Sequence, residues 1–247
     1  MRALWRELTD LVLPVGCAGC GRPRARGPVC PSCRSSLAGT APRRVWPSPV
    51  PPGLPVVYGA AAYADEVRAV LLAHKERGAL RLAQPLGGVL ADTVRAAVRH
   101  RATGRGGAAV AYGAGRAGAG PRPLALVPVP SARRAVAGRG HDPVRRMALA
   151  AAGELRRSGR AARVLAVLRQ RRAVADQAGL TAGQRLANLS GALEAVPGSG
   201  RLLEGTEVVL VDDLMTTGAS LVEASRAVAA AAGRRPVAAV VAVRSRR

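Results

Sequence analysis

The sequence predicts an α/β fold, a parallel sheet flanked by helices, with a small four-cysteine module ahead of it. Three observations carry that reading. Glu207–Asp213 runs E-V-V-L-V-D-D, an almost unbroken β-branched and leucine stretch of the kind that fills the centre of a parallel sheet. Similar short runs alternate with segments of helical spacing. All four cysteines fall within the first 40 residues. Hydrophobic residues make up 49% of the 247 while Phe is absent, so the core must be built from valine, leucine and alanine.

In chain order, residues 1–40 form the cysteine module, entered through a short amphipathic start with Leu4, Trp5, Leu8, Leu11 and Val12. Residues 41–57 are so rich in proline that no regular helix can form there, which predicts an extended linker. Within 58–100, Tyr58–Tyr63 reads as a strand, and Val67, Val70 and Leu71 share one face of a helix that Gly78 ends. Leu82, Leu86, Leu90, Val94 and Val98 recur every fourth position and mark a second helix. This helical part packs either as a piece of the core or as a hood over the site. Residues 101–122 are mostly Gly, Ala and Arg without period and read as a flexible insertion.

The core is expected over 123–247. A strand starts at Leu124, and a helix with Met147, Leu149 and Leu155 follows. The run R-V-L-A-V-L at 163–168 is a second strand candidate. The long polar segment 169–205 holds one helix start, where Thr181 and Gln184 have capping-box spacing, and it could close over a ligand. Beyond the Glu207 strand, Leu221, Val222, Ala224 and Val228 mark a helix from about Thr217 to Ala232, and Val237–Val243 is the last strand.

Lysine and arginine number 38 against 15 acids, a net charge of +23, and Lys75 is the single lysine. So large an excess attracts polyanions, either nucleic acid or a pyrophosphate-bearing metabolite. No run approaches the roughly 18–20 apolar residues that span a bilayer. Glu7 and Asp10 interrupt what would be the apolar part of a signal peptide, so a cytoplasmic protein is expected.

Asp212 and Asp213 end the clearest strand, and Thr216, Thr217, Gly218, Ala219 and Ser220 turn from it into a helix. Unpaired N–H groups at a helix start, beside hydroxyls and a glycine, form a nest for phosphate. Two acids would repel that phosphate unless the ligand also carried something for them. Vicinal ribose hydroxyls fit, as does Mg²⁺ travelling with a pyrophosphate. The plainer alternative is that Asp212 only caps the helix. After the first core strand, Val127–Arg134 reads V-P-V-P-S-A-R-R, and the forks of Arg133 and Arg134 suit a pyrophosphate; a solvated charge cluster is the alternative.

The stretch Val208–Ser220, V-V-L-V-D-D-L-M-T-T-G-A-S, resembles the phosphoribosyl pyrophosphate-binding motif of type I phosphoribosyltransferases. The resemblance implies that Asp212 and Asp213 hold the ribose hydroxyls and that Thr216 to Ser220 surround the 5-phosphate. It also implies that the arginine loop after the first core strand grips the pyrophosphate. The order V-P-V-P-x-x-x-R, a short R-G segment, a middle segment with Arg169, Gln177, Arg185 and Asn188, and then the acidic strand is similar to the ComF (competence protein F-like) family. Lys75 and Gly78 match that family's basic patch, and the likeness spans Cys17 to about Val243. Members commonly read R-G-F-N-Q where this chain has Arg139-Gly140-His141-Asp142-Pro143. The family is associated with natural competence and DNA uptake.

Cys17-x-x-Cys20 and Cys30-x-x-Cys33 can each grip one metal through a tight turn, and four thiolates satisfy tetrahedral Zn²⁺. Disulfides and a redox pair are the alternatives. A zinc ribbon here also agrees with the ComF resemblance; with four protein ligands it would be structural or a docking surface. Arg22, Arg24, Arg26, Arg34, Arg43 and Arg44 surround it, with Trp5 and Trp46 as the nearby stacking rings for single-stranded DNA. Three functions are therefore expected. The first is a Mg²⁺-dependent phosphoribosyltransferase acting on a nitrogen nucleophile and using Asp212, Asp213, Arg133 and Arg134. The second is a non-catalytic accessory of DNA uptake that binds single-stranded DNA or a machinery protein. The third is a ligand-sensing regulator.

Overall fold

The computed structural model describes residues 16–23, 27–39, 41–102, 121–174 and 179–244. The start at 4–12 with Trp5, Arg24, Arg26, the insertion from 103 to 120, Asp176 and Gln177 lie outside the described residues. The strands are β1 (Arg43–Val45), β2 (Val57–Ala62), β3 (Leu124–Pro128), β4 (Ala162–Val164), β5 (Leu168–Gln170), β6 (Leu193–Ala195), β7 (Glu207–Met215) and β8 (Val237–Val243). The helices are α1 (Pro31–Ala38), α2 (Asp65–Glu76), α3 (Ala83–Ala102), α4 (Arg133–Arg139), α5 (Pro143–Arg157), α6 (Ala182–Leu189), α7 (Ser199–Leu203) and α8 (Ala219–Ala232).

Six strands form one mixed, mostly parallel sheet in the order β1-β2-β8-β7-β3-β4, in which only β1 runs antiparallel to its neighbour. Alternate residues of the central strands supply two cores, because successive side chains leave a strand on opposite faces. Leu124, Leu126, Val209, Val211 and Ala239 pack with α2, α3 and α5 on one face. Ala125, Val127, Val208, Leu210 and Val240 pack with Leu221, Ala224 and Val228 of α8 on the other. A layer of helices thus covers each face, which is why β3 and β8 are buried along their whole length.

On the first face, α3 crosses α5 closely. A Cβ on Gly87 would come within 2.9 Å of the Ala151 nitrogen, so the crossing admits only glycine there. Residues 58–100 are therefore built into the sheet and its helical layer: β2 pairs with β8, and α3 packs against α5 and β8.

Several local expectations differ from what forms. The proline-rich stretch contributes an edge strand, since Arg43, Arg44 and Val45 sit in register with Gly59, Tyr58 and Val57. The run at 163–168 divides. Ala162–Val164 extends the main sheet beside β3, after which the chain turns and Leu168–Gln170 pairs with β6 in a separate antiparallel ribbon. The polar segment 169–205 carries β5, α6, β6 and α7, and Thr181 and Gln184 form the capping box reciprocally. In α5, Pro143, Val144, Met147, Ala148, Ala151, Ala152 and Leu155 are buried, while Leu149 is 52% exposed. No described helix is long and apolar enough to cross a membrane.

Candidate functional site

The connections fix where a ligand can sit. From β3 the chain passes through α4 and α5 to β4, outward in one direction, while from β7 it passes through α8 to β8 in the other. β3 and β7 are neighbours, so their carboxyl ends part at a topological switch point, where open α/β sheets bind ligands. Two segments singled out in the sequence border that crevice: the Pro128–Arg134 turn leaving β3, and Asp212–Ser220 leaving β7.

Asp212 and Asp213 lie inside β7, which continues to Met215. On the β3 side, pairing stops at Pro128–Val211 with a final bond from Val129 N–H to Val211 O at 2.9 Å. On the β8 side it continues to Met215–Val243. The edge of β7 facing the crevice is therefore unladdered from Asp212 onward. Strand alternation sends Asp213 to the α2 face and Asp212 to the α8 face. Asp212 is not a helix cap, because the residue capping α8 is Gly218, six positions later.

Both acids are nearly buried, Asp212 at 9% and Asp213 at 6% exposure. The Lys75 ammonium, at the last turn of α2, pairs with Asp213 at 3.0 Å. Asp212 Oδ1 accepts the Asp213 N–H at 2.8 Å. Burial, reinforced by the Asp213 carboxylate, holds Asp212 well above the usual carboxylate range against the opposing pull of Lys75. Burial draws Lys75 down, but Asp213 and then Asp212 outweigh it and keep the ammonium above its ordinary value. The single lysine of the chain is thus the cation facing the paired acids.

Below the acids, Thr216, Thr217 and Ser220 are half-buried and Ala219 is buried. The first N–H groups of α8 have no partner within the helix, and no side chain caps them. Gly218 has φ +78°, and a Cβ there would meet Leu54 Cδ1 at 2.7 Å and Pro51 and Pro47 at 3.5 and 3.6 Å. The proline-rich segment thus covers the side of Gly218 on which a Cβ would stand. Gly218→Ala is expected to cost about 1–2 kcal/mol from its left-handed backbone alone. It should also displace Leu54, and urea melts together with ligand titration would read both effects. From the other side, Leu189 and Ala192 pack on Ala219, which brings the α6 segment against the helix start.

Arg133 and Arg134 open α4 at the carboxyl end of β3; Arg134 is exposed and makes no ion pair among the described residues. Arg139 instead contacts both carboxylate oxygens of Glu76 at 3.2 Å. Arg169 pairs with Glu194 at 2.8 Å, within the β5–β6 ribbon.

Two features went unseen in the sequence. His74 and His141, with rings 6.1 Å apart, join α2 to the α4–α5 turn. His74 Nε2 lies 3.2 Å from the Pro143 carbonyl, and His141 Nε2 lies 3.3 Å from the His74 carbonyl. Burial lowers the His74 pKa, which favours the neutral ring. Asp142 accepts the Arg145 N–H at 3.1 Å and caps α5, so the H-D-P segment starts that helix. Its sequence signal was an Asp-Pro pair ahead of helical spacing. The second feature is Glu223, an acid on the buried face of α8. Burial would raise its pKa, but Arg226 and the Leu193 N–H outweigh that and hold it below the usual range. It pins β6 to α8 through that N–H at 2.9 Å.

At the other end of the molecule, one sulfur from each of Cys17, Cys20, Cys30 and Cys33 lies within 4.8 Å of all the others, close enough to hold one metal ion. Cys30 occupies the N-cap position of α1 without a side-chain capping bond, and Cys33 stands in its first turn, where burial pushes its thiol pKa up. Burial pushes the Cys17 thiol up, yet N–H groups of Cys30, Cys20 and Gly19 outweigh it and bring its pKa down to about 6. A Cβ on Gly19 would approach Cys33 Sγ to 2.8 Å, so the first knuckle needs glycine to close around the second. Cys17, Cys30, Cys33 and Leu37 belong to the same buried cluster as Val67 and Val70 of α2. The module is docked on the core.

Fold and crevice together define an α/β protein with two acids and a helix start at the carboxyl end of the sheet, and a cysteine cluster capable of holding a metal. Neither a scan against protein-family models nor a search of the curated proteins finds a match to this chain.

Proposed function

We propose that the protein binds phosphoribosyl pyrophosphate with Mg²⁺ and transfers the phosphoribosyl group to a nitrogen nucleophile. The observation that supports this reading is the convergence at one topological switch point of two acids on β7, the uncapped start of α8 and the arginine-bearing turn after β3. Asp212 and Asp213 would accept hydrogen bonds from the ribose diol. Thr216 to Ser220 would surround the 5-phosphate, and Arg133 and Arg134 would offset charge on the pyrophosphate. A nitrogen lone pair attacks C1 of the ribose and the C1–O bond to pyrophosphate breaks. The pyrophosphate leaves with that electron pair, and the nucleophile's N–H proton passes to solvent. The work of such a site is positioning and electrostatics. Mg²⁺ supplies further neutralisation of the leaving group. The four-cysteine cluster is read as a structural Zn²⁺ site, its donor set being thiolate only.

Calorimetric titration of the whole protein with phosphoribosyl pyrophosphate should give saturable, Mg²⁺-strengthened binding. Asp213→Asn should weaken it about 10-fold or more, the cost of a hydrogen bond to a charged group. A panel of bases and amines should then release pyrophosphate. Absence of binding would overturn the reading, and saturable binding without turnover would favour the sensor instead. The charge of +23 supports one further reading, an accessory of DNA uptake. In that case single-strand affinity should fall steeply with salt and survive Asp213→Asn.

A further inference from the structure

A second concave site lies at the other end of the sheet. A cavity of about 690 Å³ opens at the amino ends of β3 and β7, where Leu124, Glu207 and Val208 form part of its wall. The end of α3, the turn after α5 and the turn before β8 complete it. Its lining contains seven arginines and one acid, Glu207.

Those arginines are organised, not simply scattered on the surface. Arg160 pairs with Glu207 at 3.2 Å. Arg95 donates to the Ser158 hydroxyl at 2.7 Å and pairs with Asp92. Arg101 donates to the Arg235 carbonyl, and Arg234 to those of Leu203 and Thr206. A guanidinium fixed on a carbonyl keeps its full charge. Burial raises the Glu207 pKa above its ordinary value, against the opposing pull of Arg160, Arg101, Arg122 and Arg234. Arg99, Arg122 and Arg235 are exposed around the opening.

We propose that this cavity binds an organic polyphosphate of the nucleoside triphosphate type, at a site separate from the crevice bearing Asp212 and Asp213. Its volume falls within the range of pockets that enclose a molecule of that size. The exposed forks of Arg99, Arg122 and Arg235 match phosphate oxygens, and a guanidinium plane stacks on a base. Val98, Leu124, Val208 and Pro121 offer the apolar wall that a base requires and a bare anion does not. Glu207 and Asp212 stand five residues apart on one strand, about 17 Å at the usual rise, so the two ligands do not overlap.

The test is calorimetric titration of the full chain with adenosine triphosphate, without Mg²⁺. One site per chain is expected, and Arg122→Ala with Arg235→Ala should weaken it about tenfold or more through loss of charge-assisted bonds. Arg122→Lys with Arg235→Lys should recover part of the loss. Asp213→Asn and an excess of phosphoribosyl pyrophosphate should leave the affinity unchanged, which keeps this result distinct from the fate of the other site. The proposal fails if no heat is seen, or if the alanine pair melts as wild type and binds equally well. It also fails if Asp213→Asn abolishes the signal or inorganic triphosphate binds as tightly as the nucleotide. Displacement of the nucleotide by a single-stranded oligonucleotide at lower concentration would reassign the cavity to nucleic acid and overturn the proposal.

Discussion

Asp212→Asn is expected to raise stability at neutral pH while weakening the ribose binding proposed for the acid pair. The carboxyl is 9% exposed, stands beside Asp213, and has its pKa lifted well above the usual range by burial and then by that neighbour. In the unfolded chain it ionises at an ordinary value of about 3.9. Between that value and the raised folded one, the native state keeps a proton that the unfolded state has lost. Stability therefore falls as pH rises through this window, and above the folded pKa the whole penalty is present. Asparagine retains the oxygen that accepts the Asp213 N–H and removes the charge. The gain should be about 1–2 kcal/mol, or about 2–8 °C in a chain of this length, and should shrink toward acid pH. Urea melts of both proteins across the pH range would show it. An unchanged or lowered urea midpoint at neutral pH would mean that Asp212 is not held against its own preference, which would weaken its assignment as a functional acid.

The same acids show how far the sequence could be read. The strand carrying them was visible because Glu207–Val211 is aliphatic throughout, as a fully covered strand must be. Their place at the carboxyl end of the sheet was visible because they follow directly on that aliphatic run. The partner of Asp213 was not, since Lys75 is 138 residues away and only the packing of α2 brings it near. Pro47, Pro51 and Leu54 lie over Gly218 for the same reason: no local pattern says what an extended segment will touch. In α5 the buried face includes Ala148, Ala151 and Ala152 while Leu149 is exposed, so residue type alone does not mark that face. The arginine-lined cavity comes from segments scattered between Arg95 and Arg235, each reading on its own as an ordinary solvated charge.

The cysteine module offers the other large effect, and two cysteines differing in burial separate its possible causes. Cys33 is 1% exposed and sits among core residues, whereas Cys20 is exposed. If their role were packing, Cys33→Ser would destabilise and Cys20→Ser would be close to neutral, as most surface changes are. If the four sulfurs share a metal, either variant removes one of four ligands and both should fall together. The expected result is the second, a loss of several kcal/mol in each case, because metal binding in such a module is folding energy. Helix α1 has only eight residues, too few to persist without the cluster that starts it. Its Leu37 lies in the same buried cluster as Val67 and Val70 of α2, and α2 carries Lys75 to Asp213. Chelation should accordingly lower the melting temperature and also weaken any ligand held at Asp213, although the two sites share no residue. Metal content, thermal melts and ligand titration on the two serine variants would check this. A Cys20→Ser protein that melts as wild type would leave the cluster as buried thiols without a metal.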